Sequence, residues 1–189
     1  MNYLAHLLLA GEDPARQVGS LLGDFLGDTD LESLPEAVRA GVEQHFQVDA
    51  YCNHHPAFRR ARKRLYPHIG HYAGPVADIF FDHCLAQDWT RWRNLPLSIF
   101  SQMVYDHLDG FAPWLGPKLQ AAAPRMREVD LLASYRHLAG MQRALRHLRQ
   151  RARNRVELAP CLSQLETGKE VWRRDFHHLM TDLQKELGA

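Results

Sequence analysis

The stretch "AGPVADIFFDHCLAQDW", Ala73 to Trp89, decides the fold class. Pro75 suits the first turn of a helix, and from Val76 to Leu85 apolar side chains fall on almost every side of the helical wheel. A helix apolar all round is buried all round, so the chain must surround it with other helices. Within it Asp78 and Asp82 are four residues apart and share a face, and His83 lies one step round from Asp82. Two carboxylates buried together repel each other, and burial raises both pKa values. Two things compensate such a pair. One is a divalent cation, since Asp and His suit manganese, iron or zinc. The other is an arginine from a neighbouring helix, with His83 a hydrogen-bonded core residue.

Working outward, the pattern is helical nearly throughout. Helices are expected over 2–10 and over 14–27, the second opened by Asp13-Pro14 and closed near Gly27. "SLPEAVRAGVEQHFQVDAYC" predicts a third, with Ser33 as its cap and Val38, Val42 and Phe46 on one face. His55-Pro56 breaks it, and an arginine-rich helix follows to about Tyr66. Beyond Trp89 the expected helices cover about 96–108, 112–122, 127–137, 138–154 and 160–187. No segment alternates like a strand, and there is no repeat or low-complexity linker. The reading is one all-α domain, a helical bundle over residues 1–189, with Arg151–Arg155 as its most flexible joint.

Composition agrees. A chain of 189 residues suits one sizeable core, and 46% apolar with 24% charged residues is ordinary for a soluble protein. The opening "MNYLAHLLLAG" is too short to cross a bilayer, has no Lys or Arg before it, and lacks a small-residue cleavage site. It reads as a core helix carrying an imidazole, His6. Cys52, Cys84 and Cys161 lie far apart without a CxxC, which suits a reducing compartment and a cytoplasmic location.

Charge is unevenly spread. Asp24 to Glu43 holds six acidic residues and one basic residue, Arg39. Arg59, Arg60, Arg62, Lys63 and Arg64 then crowd into six positions, and Arg143 to Arg155 holds six arginines and no acid. One such run is a solvated helix face; two in a nearly neutral chain suggest an acidic partner surface. No nucleic-acid motif accompanies them.

Two further constellations share the first ninety residues. In "GSLLGDFLGD" Gly19, Gly23 and Gly27 recur every fourth residue, leaving a bare stripe with Asp24 beside it among apolar neighbours. Each helical glycine costs roughly 1 kcal/mol relative to alanine, which close approach of a backbone or a ligand would offset. In "EQHFQVDAYCNHH" His45 and Asp49 are four apart, a spacing for two ligands or for a ligand and its supporting carboxylate, and equally for a surface pair. His54 and His55 end that helix as cations opposing its dipole. Inward-facing His and Asp on several helices are how metal sites are built in helical bundles.

The motifs "MNYLAHLLLA", "GSLLGDFLGD", "GVEQHFQVD" and "DIFFDHCLAQDW", in this order, resemble the acyl carrier protein (ACP) phosphodiesterases, strongly over residues 1–92 and more loosely beyond. The resemblance implies an all-helical fold from a divergent branch of the HD phosphohydrolases. It also implies a divalent metal, Mn2+ with Mg2+ or Fe2+ as alternatives, and removal of 4′-phosphopantetheine from holo-ACP to give apo-ACP. By it His6, Asp24, His45, Asp82 and His83 become metal ligands, and Asp78 and Asp49 supporting or proton-transfer groups. Arg59, Arg60, Arg62, Lys63 and Arg64 become the docking surface for ACP, an acidic partner, with no role for nucleic acid or membrane. Asp82-His83 reverses the usual HD order, and Phe46-Gln47 stands where basic residues are expected from the resemblance. Two alternatives remain at this point. One is a phosphohydrolase of nucleotides or other small phosphoesters; the other is a non-catalytic helical adaptor for an acidic partner.

Overall fold

The computed structural model describes residues 1–153, 156–158 and 160–188. Its α-helices are α1 (Tyr3–Leu9), α2 (Pro14–Leu22), α3 (Glu36–His54), α4 (Pro56–Ile69), α5 (Ala73–Gln87), α6 (Leu97–Gly110), α7 (Pro117–Glu128), α8 (Leu131–Ser134), α9 (Leu138–Arg151), α10 (Cys161–Thr167) and α11 (Lys169–Leu187). There is no strand among the described residues, so the fold is all-α. No helix among them is long and apolar enough to cross a membrane. The chain forms two compact units. One comprises Met1–Asn2, Tyr51–Asp88 and Ser134–Ala189, the other Tyr3–Ala50 and Trp89–Ala133.

In the first unit α5 is the central element. Every residue from Val76 to Ala86 except Asp78 is buried, as its all-round apolar wheel requires. It packs against α4, α9 and α11. Phe80 meets Trp172 edge to face at 5.0 Å, and Phe81 sits between Phe58 at 5.9 Å and Phe176 at 5.8 Å. These aromatic pairs add to the area they bury by about 0.5–1.5 kcal/mol each. The carboxylate of Asp175 on α11 lies inside this apolar layer, 1% exposed. Arg60 donates to it through Nε at 3.0 Å and Nη2 at 2.6 Å, and Arg64 donates from the next turn of α4. Two guanidinium groups replace the water that burial removes, so α4 is tied to α11 by charge as well as by packing.

In the second unit α1 lies on α2, and α2 on α6. Asp13 caps α2, accepting from Ala15 N at 2.9 Å, with Pro14 next in the helix. A Cβ on Gly19 would stand 1.9 Å from the carbonyl oxygen of Val38, and one on Gly41 would stand 2.2 Å from that of Arg16. So α2 and α3 cross with their backbones in contact. The last turns of α1 are tied to the same pair, Ser20 donating to His6 O at 3.2 Å and Gln44 to Leu9 O at 2.7 Å.

Several expectations need correction. The helix expected over 14–27 stops at Leu22, where a 3-10 turn, Gly23–Phe25, takes over, and Gly27 adopts φ 56° beyond it. The glycines therefore do not form one helical stripe: Gly19 serves the crossing, and Gly27 a turn. Ser33 does not cap α3; it ends a separate 3-10 turn, and its hydroxyl donates to Asp30 O at 2.7 Å. Val38 and Val42 are buried, but Phe46 is 46% exposed, and the buried stripe continues through His45 instead. The helix expected over 112–122 is shifted to Pro117–Glu128, and the one over 127–137 shrinks to Leu131–Ser134. The helix expected over 160–187 divides at Gly168 into α10 and α11. In the basic stretch, α9 ends at Arg151 and Arg153 takes φ 51°, while Asn154 and Arg155 lie outside the described residues.

The crossing gives a direct test. On an open helix Gly19→Ala would stabilise by roughly 1 kcal/mol through propensity. Here the added methyl group meets backbone, so the substitution is expected to destabilise by about 1–3 kcal/mol in urea denaturation. A gain in stability would show that the helices do not touch there.

Candidate metal centre

His6 arrives on α1, and His45 and Asp49 lie one turn apart on α3, all within the second unit. His6 Nε2 is 3.1 Å from Asp49 Oδ1, and His45 Nε2 is 3.4 Å from Asp49 Oδ2. The two imidazole rings stack at 4.0 Å with 21° between their planes. One atom from each of the three residues can be chosen so that all lie within 4.8 Å of one another. The local reason is Gly23. A Cβ there would fall 2.5 Å from Cγ of His45, so the imidazole occupies the space a side chain would fill.

The electrostatics suit cation capture. Burial pushes the His6 pKa down to about 3, opposed by its hydrogen bond to Asp49. Burial lowers that of His45 too, against the pull of the Asp49 charge. Both rings are neutral at physiological pH and each keeps one lone pair. Burial works to raise the Asp49 pKa, but the hydrogen bond from His6 leads the effects that overcome it, so the carboxylate is ionised. Nδ1 of His45 is buried and makes no hydrogen bond; the backbone of Ser20, outside hydrogen-bonding geometry, favours its protonated form slightly. Two neutral imidazoles and one carboxylate form an N,N,O donor set suited to Mn2+, Fe2+ or Zn2+. To ligate through Nε2, each ring would carry its proton on Nδ1 instead.

The other sequence-predicted residues lie as follows. Asp24 is exposed in the 3-10 turn after α2 and is not one of the three grouped residues. The geometry groups Asp49, which the resemblance placed in a supporting role, with the two histidines. Asp82 and His83 belong to the first unit, on α5, both buried. His83 Nδ1 is 2.7 Å from Tyr135 O, and a carbonyl accepts only from an N–H, so Nδ1 carries the proton and Nε2 keeps its lone pair. That is the arrangement in which a backbone carbonyl orients a ligating or proton-accepting histidine. Asp78 pairs with the Met1 amino group at 3.1 Å. Of the basic run on α4, Arg60 and Arg64 are engaged with Asp175, whereas Arg59, Arg62 and Lys63 are exposed.

A second cluster, His55, His178 and Asp182, escaped the sequence reading, because α11 brings it together across more than a hundred residues. His55 is not a cation closing α3. It is the N-cap of α4, and its Nδ1 accepts from Ala57 N at 3.2 Å. Its proton therefore sits on Nε2, which donates to Asp182 at 3.2 Å, with His178 a further 3.2 Å neighbour of that carboxylate. With both His55 nitrogens committed, this cluster is a hydrogen-bonded tie between α4 and α11, and a poor metal site. His177, likewise passed over, joins Arg173 on Asp88 at 2.8 Å.

Comparison with known proteins follows the same motifs. A sequence model of the family described as acyl carrier protein phosphodiesterase matches residues 1–183. The acyl carrier protein phosphodiesterases of the ExPEC, EPEC and ETEC strains of Escherichia coli are each 28% identical to this chain over 146 residues, covering 77% of it and 76% of their own length. No solved structure matches the chain significantly.

Neutral His6 carries a signature in stability. Its pKa is 6.5 in the unfolded chain and about 3 in the folded one. Acidification therefore protonates the unfolded state first, and stability falls progressively as pH drops from 6.5 towards 3. In chelator-treated protein, urea midpoints at several pH values in that window should show this decline, flattened in His6→Gln. An equal decline in both proteins would mean that the ring is not held neutral.

Proposed function

Since the chain belongs to the acyl carrier protein phosphodiesterase family, we propose that it is a metal-dependent hydrolase that cleaves 4′-phosphopantetheine from holo-ACP and leaves apo-ACP. The observation that carries the metal requirement is the stacked, neutral His6–His45 pair sharing the ionised Asp49. The donor set fits a divalent cation, Mn2+ first among those to be tested, held by His6, His45 and Asp49. When bound, such an ion neutralises phosphoryl oxygens and lowers the pKa of a bound water from 15.7 towards about 7.

The residues themselves do the rest. The His6 and His45 rings are buried, and that of His45 fills the space over Gly23, so both are held in place and ligation through Nε2 asks only that the ring proton sit on Nδ1. Asp49 is the one member of the group whose side chain is substantially open, at 40% exposed. It orients both rings and is accessible to take up or pass on a proton. By family likeness alone, the proposal also gives Asp24, Asp82 and His83 ligand roles and Asp78 a share in proton transfer. The buried His83, with its Nε2 lone pair, suits that role. Arg59, Arg62 and Lys63 form the exposed part of the basic face on α4 and would attract an acidic carrier protein by long-range, salt-sensitive forces. Arg60 and Arg64 contribute to that field while also bonding Asp175.

Two experiments test the reading. Elemental analysis of the purified protein, with a mass-spectrometric assay for loss of the prosthetic group from holo-ACP, should show bound Mn2+ and turnover. Both should fall roughly 100-fold or more in His6→Gln and His45→Gln, with the helical circular dichroism retained. Turnover surviving both substitutions would sink the assignment. Separately, Arg59→Glu, Arg62→Glu and Lys63→Glu together should raise KM for holo-ACP about tenfold, from a few tenths to 1 kcal/mol per charge, and flatten its salt dependence with kcat kept. An unchanged KM would remove α4 as the docking face.

A further inference from the structure

The second unit contains a cleft of about 760 Å³ that shares no lining residue with His6, His45 or Asp49. Its size falls within the usual range for small-molecule sites, about 300–1,000 Å³. Its chemistry is uneven. The Arg93 side chain is only 18% exposed and its guanidinium lies over the Phe100 ring at 5.4 Å, so this cation is largely shielded from water. Its one carboxylate contact among the described residues is Glu12 at 3.1 Å, and that carboxylate is 88% exposed. A pair with one end fully in solvent contributes little, so the desolvated cation lacks a strong counter-charge. Arg91, exposed on the same rim, has its guanidinium 5.8 Å from the Trp92 ring centre.

An acceptor is fixed in advance as well. Gln17 is buried, and its Nε2 donates to Gly11 O at 2.7 Å, which turns its Oε1 towards His107 Nδ1 at 3.0 Å. His107 therefore carries its proton on Nδ1, and its Nε2 keeps a lone pair, an acceptor for a hydroxyl or amide N–H of whatever enters the cleft. Phe100 and the 40% exposed Met103 supply an apolar wall. Two guanidinium groups, each with several N–H donors, suit the three oxygens of a phosphate dianion better than the two of a carboxylate, and the imidazole lone pair suits a hydroxyl or amide on a chain attached to it. The apolar wall and the volume exceed what inorganic phosphate needs.

We propose that this cleft is a second, non-hydrolytic site that binds an organic phosphomonoester bearing a flexible, partly apolar chain. That is the chemistry of the 4′-phosphopantetheine released in the reaction proposed above, on which this inference rests. The incoming phosphate displaces Glu12 from Arg93, pairs with Arg91 and Arg93, and lays its chain along Phe100 and Met103. The enzyme then senses its own small product at a place that does no chemistry.

Binding to the full chain in the presence of a chelator tests this, because a phosphate held by a metal at His6 and His45 is then excluded. Calorimetric titration with 4′-phosphopantetheine should give saturable binding. Pantetheine, which lacks the phosphate, and inorganic phosphate, which lacks the chain, should each bind at least tenfold more weakly. Arg91→Gln, an exposed position that leaves the fold intact, should weaken 4′-phosphopantetheine at least tenfold, and Arg93→Gln likewise. His6→Gln should leave the affinity unchanged. Absence of binding, equal binding of pantetheine, or an affinity indifferent to both arginines overturns the proposal. Failure of the proposed function reads differently: holo-ACP would not be turned over, whatever the titration shows.

Discussion

The contact between the backbones of α2 and α3 is the constraint on which the candidate centre depends. Gly19 and Gly41 allow it, and no side chain larger than hydrogen fits at either. Once the helices are that close, the next residues along each are fixed in relation: Gly23 stands under His45, and the imidazole is held where a methyl group would otherwise be. Ser20 and Gln44, one from each helix, then hold α1 by its carbonyls, which delivers His6 onto the His45 ring. Geometry that looks like a property of three polar residues is inherited from three glycines.

Three carboxylates, Asp175, Asp88 and Asp49, meet two kinds of surroundings. Asp175 is surrounded by the guanidinium groups of Arg60 and Arg64, so its charge is met permanently. Asp88 is held in the same manner by Arg173 and His177. Asp49 stands beside two imidazoles that are held neutral. The first arrangement is complete and leaves nothing for a ligand to add. The second sets an ionised carboxylate beside two neutral imidazoles, a donor set of the kind that suits a divalent cation. This contrast separates the candidate centre from the ion-paired clusters better than residue type does, since His and Asp occur in both.

What the sequence made legible followed from local physics. The all-apolar wheel of α5, the Asp13-Pro14 start and the His55-Pro56 break all reappear in the structure. The His45–Asp49 spacing was also readable, because one helical turn guarantees proximity whatever the tertiary fold. Other features depended on partners far along the chain. Phe46 and His45 are neighbours on the wheel, and nothing local says that the imidazole turns inward and the phenyl ring outward. Periodicity continued α2 past Leu22, since "GDFLGD" repeats the earlier pattern; the break comes from Gly23 meeting His45 and from the left-handed Gly27. The basic run on α4 looked uniform, yet Asp175, more than a hundred residues away, engages two of its five members.

His55 connects α3, which ends at His54, to α4, which begins at Pro56. The joint is a single residue, and both of its ring nitrogens are hydrogen-bonded. A protease needs a stretch of some residues that can be drawn out into an extended strand, and a joint this short offers none. The chain passes into its most basic helix without a loop, so proteolytic nicking and inserted residues, which concentrate at exposed loop tips, have no foothold at this joint.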